Sequence, residues 1–209
     1  MTSARYLPVL AAAWLFNPLV AAASSAAPPV EVAGVWKQNE FSLTYAGFTT
    51  LYSCDGLRDK LQLLLRLGGA RADQKVWASC SSPTGGPSRI TTARLTFYTL
   101  VPDAGAAPAA PAASTAPAAS TKAPPGPPEP GVGTWRPVRI ETSRPLEIQG
   151  GDCELVEQFI REVLPKLTTR NVESRMSCFP HQISAGGISL KFEALGPLAA
   201  PAKGAKPAQ

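Results

Sequence analysis

The sequence predicts an α+β fold made of two similar halves, each an antiparallel sheet carrying one helix, joined by an Ala/Pro-rich linker. Three observations predict it. First, "YSCDGLRDKLQLLLRL" from Tyr52 and "GDCELVEQFIREVLPKL" from Gly151 set a cysteine, an acidic residue and a leucine-rich helical run in the same order. Second, laying Cys153 over Cys54 brings Gly34-Val35-Trp36-Lys37 onto Gly133-Thr134-Trp135-Arg136, with each tryptophan 18 positions before its cysteine (36 to 54, 135 to 153). Third, the stretch between the halves is rich in Ala and Pro and has no apolar period.

Further matches follow in register. Ser79-Cys80 meets Ser177-Cys178 after a one-residue slip, and Leu95, Phe97 and Leu100 meet Leu190, Phe192 and Leu195 after three more residues are lost from the connecting loop. Length changes confined to loops are what duplication and drift produce, because loops tolerate them. Two unrelated disulfide loops are the competing reading, and matches kept in one order argue against it.

The first unit is placed at 30–101 and the second at 131–196, each read as β-β-α-β-β. Leu57, Leu61, Leu64 and Leu65 fall on one helical face, as do Val156, Ile160, Val163 and Leu164 in the second unit. Ser53 and Asp152 stand just before the helices, where a side-chain oxygen can accept from the first free backbone N–H groups. Asp55 and Glu154 follow in the first turn, which favours negative charge. Gly68-Gly69 allows a left-handed end to the first helix, and Pro165 should stop or kink the second. Glu157 with Arg161, and Glu162 with Lys166, have the i, i+4 spacing of a solvated face.

Strands are expected where apolar residues alternate: Phe41, Leu43 and Tyr45; Leu95 and Phe97; Val138 and Ile140; Leu190 and Phe192. Val76 to Cys80 and Val172 to Cys178 read as strands returning from the helices. A one-helix unit of this size leaves much apolar surface uncovered, so docking of the two units as one pseudo-symmetric body is favoured over separate beads.

The N-terminus has the grammar of a secretory signal peptide over residues 1–23: Arg5, an apolar stretch from Tyr6 to Val20, then small residues with Ala21 and Ala23 before the cut. The apolar stretch is short and holds Pro8 and Pro18, which disfavours a retained anchor, and no other segment is apolar enough to span a bilayer. Residues 102–130 form a proline-rich linker, and 197–209 a loose tail of similar composition.

Export gives the cysteines their meaning. Cys54, Cys80, Cys153 and Cys178 are an even set, for which pairing is the default in an oxidising compartment. If each unit folds on its own, Cys54 pairs with Cys80 and Cys153 with Cys178. Each closed ring should stabilise its unit by roughly 3–4 kcal/mol in the chain-entropy account.

Chemistry is sparse. The one histidine, His181, lies just after Cys178 and lacks any nucleophile or orienting partner that the sequence identifies. There is no C-x-x-C, and cysteines roughly 25 residues apart do not have zinc-ligand spacing. "SPTGGPS" reads as a turn rather than a phosphate loop. No cofactor or metal is therefore expected.

The formal net charge is +5, or +4 once Arg5 is removed (5 − 1), which permits attraction to an anionic envelope polymer. The basic residues, Arg58, Lys60, Arg66, Arg71, Lys75, Arg136, Arg139 and Arg144 among them, are spread without interleaved aromatics, so nucleic acid is not an expected partner. Trp36 and Trp135 read as core residues first and paired ligand sites second. The expected function is binding or structural, in a bacterial periplasm or envelope, with another envelope protein or an anionic polymer as partner. A small hydrolase with its site between the halves near His181 is the alternative.

Overall fold

The computed structural model describes residues 30–80, 86–103, 129–179 and 187–198. The expected signal peptide at 1–23, His181, and nearly all of the expected linker and tail lie outside the described residues. The first half contributes strand β1 (Glu31–Ala46), helix α1 (Cys54–Leu67), strand β2 (Lys75–Cys80) and strand β3 (Ile90–Pro102). The second contributes strand β4 (Glu129–Glu141), helix α2 (Cys153–Glu162), strand β5 (Thr169–Met176) and strand β6 (Ile188–Pro197). This is an α+β fold with one antiparallel six-stranded sheet in the order β2-β3-β1-β4-β6-β5.

The order β-α-β-β in each half corrects the expected β-β-α-β-β. The strand expected from the alternation of Phe41, Leu43 and Tyr45 also takes in Trp36. Lys37 to Glu40 stay in register with Thr99 to Thr96, so β1 is a single run of 16 residues. Strand β4 likewise starts at Glu129 and β3 reaches Pro102, so strand pairing takes in three residues expected in the linker.

The halves meet at the centre of the sheet, where Glu31–Trp36 pair with Thr134–Glu129. Each strand then runs beyond this seam, β1 alongside β3 and β4 alongside β6. One continuous core joins them: Leu43, Tyr45, Leu95 and Phe97 from one half pack in the same cluster as Ile140, Phe159, Leu190 and Phe192 from the other. The two halves of the chain thus share one sheet and one core.

Local signals place the helices. Ser53 Oγ accepts from Gly56 N at 3.1 Å, and Asp55 pairs with Arg58 at 2.9 Å. Leu57, Leu61, Leu64 and Leu65 are fully buried. Gly69 takes φ 88°, the left-handed turn that lets the chain pass close to the Leu195 carbonyl. Helix α2 ends at Glu162, and Pro165 sits in a 3-10 turn over Leu164–Lys166. Its surface pairs differ from expectation: Arg161 reaches Glu162 at 3.2 Å, and Lys166 lies over the Phe41 ring at 4.8 Å.

Cys54 is bonded to Cys80 and Cys153 to Cys178, with Cα separations of 5.7 and 5.6 Å. Each bond ties the start of a helix to the end of the following strand or the residues just past it.

Candidate functional site

Three places bring polar or aromatic groups together. The first is the interface between the residues entering α1 and those entering α2. Asp152 precedes α2 but does not cap it. Its side chain, 3% exposed, accepts instead from the hydroxyl of Tyr52, from Lys60 Nζ at 2.7 Å and from its own Gln149 N at 2.7 Å. Glu154, expected to serve the helix dipole, spends both oxygens on the other half: Oε2 accepts from Phe48 N at 2.9 Å and Thr49 N at 3.1 Å, and Oε1 from Thr49 Oγ1 at 2.9 Å. Thr50 Oγ1 donates to Gly151 O at 2.7 Å, and Tyr45 OH to Thr50 O at 2.9 Å. Burial, reinforced by nearby carboxylates, drives the hydroxyls of Tyr45 and Tyr52 well above the ordinary tyrosine range.

A shallow surface dent, without enclosed room for a water molecule, lies beside this interface and is lined by Thr49, Gly150, Gly151, Cys153, Glu154, Cys178 and Phe179. Phe179 precedes His181 by two positions in the sequence, and His181 itself lies outside the described residues. The one carboxylate lining the dent already accepts three hydrogen bonds, which is the condition of a structural clasp and not of a free general base. Among the described residues no group of acidic, histidine or cysteine side chains has metal-binding geometry.

The second place is a small apolar cluster on the sheet face away from the helices, made of Trp36, Leu100 and Leu195 with Val32, Tyr98 and Trp135 against it. Gly131 makes room, since a Cβ there would stand 2.2 Å from the Trp36 indole nitrogen. Two arginines cover the cluster. Arg71 lies 4.2 Å from the Tyr98 ring centre and 5.6 Å from that of Trp36, while Arg170 lies 4.2 Å from that of Trp135. Arg71 is held by Asp73 at 2.8 Å and Glu129 at 2.6 Å, and Arg170 by Glu193 at 2.6 Å. Hydrogen bonds from these guanidiniums hold the Asp73 and Glu193 carboxyls below the ordinary range. With Trp36 only 9% exposed, this is packing. The arginines were the missed signal: each falls 35 positions after its tryptophan (36 to 71, 135 to 170).

The third place is open. On the helix-free face of β2, β3 and β1, residues line up in rows: Trp77 beside Arg94 beside Ser42, and Ser79 beside Thr92 beside Thr44. Trp77 is 64% exposed, and its neighbours Arg94, Ser42, Ser79 and Thr92 are exposed as well. The two outer strands differ. Strand β5 carries a bulge between Arg170 and Glu173, with Asn171 left-handed at φ 54°, and charged side chains that discourage added strands. Strand β2 is regular and presents the tryptophan.

Comparison with protein-family models, curated proteins and solved structures finds no match. No helix among the described residues is long and apolar enough to cross a membrane.

Proposed function

We propose that this is an exported, non-enzymatic binding protein of the bacterial periplasm or cell envelope, formed by duplication of one disulfide-closed unit and acting through its open sheet face. The observation that carries the binding reading is Trp77: a large aromatic left 64% exposed on a flat three-stranded face, where burial would ordinarily place it. Two disulfides support an oxidising compartment. The β-α-β-β order of both halves, and the equal spacing of each stacked Arg from its Trp, support duplication.

The test is capture from an envelope extract with the disulfide-intact chain as bait. A partner retained by the wild type and lost by Trp77→Ala is the expected result; equal capture by both would overturn the assignment to this face. N-terminal sequencing of exported chain should begin at Ser24 if the signal is cut after Ala23, and a chain still starting at Met1 would overturn the export reading. The hydrolase alternative is favoured only by the dent beside Phe179, and His181→Ala separates the readings, since only an enzyme would lose turnover.

A further inference from the structure

We infer that the open face of β2, β3 and β1 binds an anionic polysaccharide, with a sugar ring stacked on Trp77 and its acidic groups paired with Arg94 and Lys75. The inference rests on the binding reading above and adds the ligand class.

Three features point to this chemistry. The exposed indole offers a broad π face, negative at its centre, to which the C–H bonds on one side of a pyranose are attracted. Arg94 stands next to Trp77 across the strand pair, and Lys75 stands two residues along β2 on the same face. Neither makes an ion pair among the described residues, so both charges are available to a ligand. Arg71 and Arg170, by contrast, are already bound to carboxylates. The remaining positions beside them are hydroxyls, from Ser42, Ser79 and Thr92, suited to sugar hydroxyls and poor for an apolar partner.

Spacing agrees. Neighbouring strands lie about 5 Å apart and alternate residues on a strand about 7 Å apart, so both cations fall within about one sugar unit of the indole. Two carboxylates border this part of the face: Glu40 shares a row with Lys75 on the other side of Thr96, and Asp73, two residues before Lys75, is taken up by Arg71. The second half does not repeat the arrangement: Arg175 opposite Ser189 is the nearest counterpart on β5. One ligand face per chain follows.

The alternative occupant is a protein strand added to the β2 edge, which would be held by backbone hydrogen bonds and need no anion. Affinity electrophoresis decides between them, using gels that contain polygalacturonate, dextran sulfate or neutral dextran at physiological salt. Retardation by at least one of the polyanions and not by dextran is expected. Trp77→Ala, and separately the Arg94→Ala/Lys75→Ala pair, should each weaken it by about tenfold. Trp77→Phe should keep most of it, and the Arg139→Ala/Lys191→Ala pair on the second half should change it little.

Wild-type retardation by Trp77→Ala would overturn the proposal, as would equal loss from the Arg139/Lys191 pair, which would mean diffuse charge attraction. Failure of both polyanions would overturn it too. If the chain then still captures an envelope protein through β2, the glycan assignment falls while the binding reading stands. Because Trp77 is exposed, its removal leaves the core intact, and an unchanged melting temperature verifies that.

Discussion

Tyr52 and Asp152, separated by 100 residues of chain, share a buried hydrogen bond in which the phenol hydroxyl donates to the carboxylate. One residue leads into α1 and the other into α2, so this bond and the Lys60 ion pair at 2.7 Å fasten the two halves at their helix entrances. Asp152→Ala removes the carboxylate that Tyr52 and Lys60 both donate to, leaving Lys60 only the Glu147 carbonyl. Breaking a buried pair by removing one member costs about 3–5 kcal/mol, and the loss here should sit near the lower end because Lys60 keeps a route to solvent. Tyr52→Phe removes one hydrogen bond to a charged group and should cost about 1.5–3 kcal/mol. Urea unfolding measures both, and a cost under about 0.5 kcal/mol for Asp152→Ala would show that the clasp is incidental.

The same clasp sets an alkaline limit. Tyr45 and Tyr52 have raised folded-state values, chiefly because burial penalises the phenolate. Their contribution is therefore complete below the ordinary tyrosine value of 10.0 and is lost as pH rises above it, where the unfolded chain ionises and the folded one resists. Tyrosinate absorbance should show Tyr45 and Tyr52 ionising only together with loss of circular dichroism. Smooth titration of all tyrosines before unfolding would contradict the buried hydrogen bonds.

Reduction provides a third check. The rings closed by Cys54–Cys80 and Cys153–Cys178 span sequence separations of 26 and 25, for which chain entropy gives about 3–4 kcal/mol each. Cys54→Ser/Cys80→Ser should lower the unfolding free energy by about that amount and should destabilise both halves together, because Leu43 and Phe159 belong to one core. Two resolved unfolding transitions in this variant would mean that the halves are thermodynamically separate.

Much of this arrangement was legible from residue order. Apolar spacing placed Leu57, Leu61, Leu64 and Leu65 on a buried face, alternation placed Phe97 and Leu190 inward, and Pro165 marked the end of α2. The role of Asp152 was not legible. Its position before a helix is the local signature of a cap, and only contacts a hundred residues away turn the carboxylate toward Tyr52 and Lys60. The length of β1 was hidden for a related reason: polar residues at Lys37 to Glu40 carry no apolar alternation, whereas pairing with β3 keeps them extended. The open face could not be found locally either, since Trp77, Arg94 and Ser42 become neighbours only through strand order. Arg71 and Arg170 were findable, because their separation from Trp36 and Trp135 is equal.

That equality leads to a pH-dependent comparison between the halves. Arg71 stacks on Tyr98 and Trp36 and is hydrogen-bonded to Asp73, whose folded-state value is depressed mainly by that bond. A depressed carboxyl stabilises the fold above its ordinary value of 3.8 and ceases to do so as pH falls through the lower folded value. Arg71→Ala should therefore cost about 0.5–1 kcal/mol near neutral pH, an amount limited by the exposure of its carboxylate partners, and the gap from wild type should narrow in acid. Arg170→Ala should change stability in the same direction, through the lost contact with Trp135 and the lost hydrogen bond to Glu193. The readout is indole fluorescence in protein that also carries Trp77→Phe: with Trp135→Phe added, removing Arg71 should shift the Trp36 signal more than removing Arg170 does, and with Trp36→Phe added instead the ranking should reverse. If one arginine moves both indoles equally, the cluster works as a single unit and the one-arginine-per-half correspondence loses its energetic meaning.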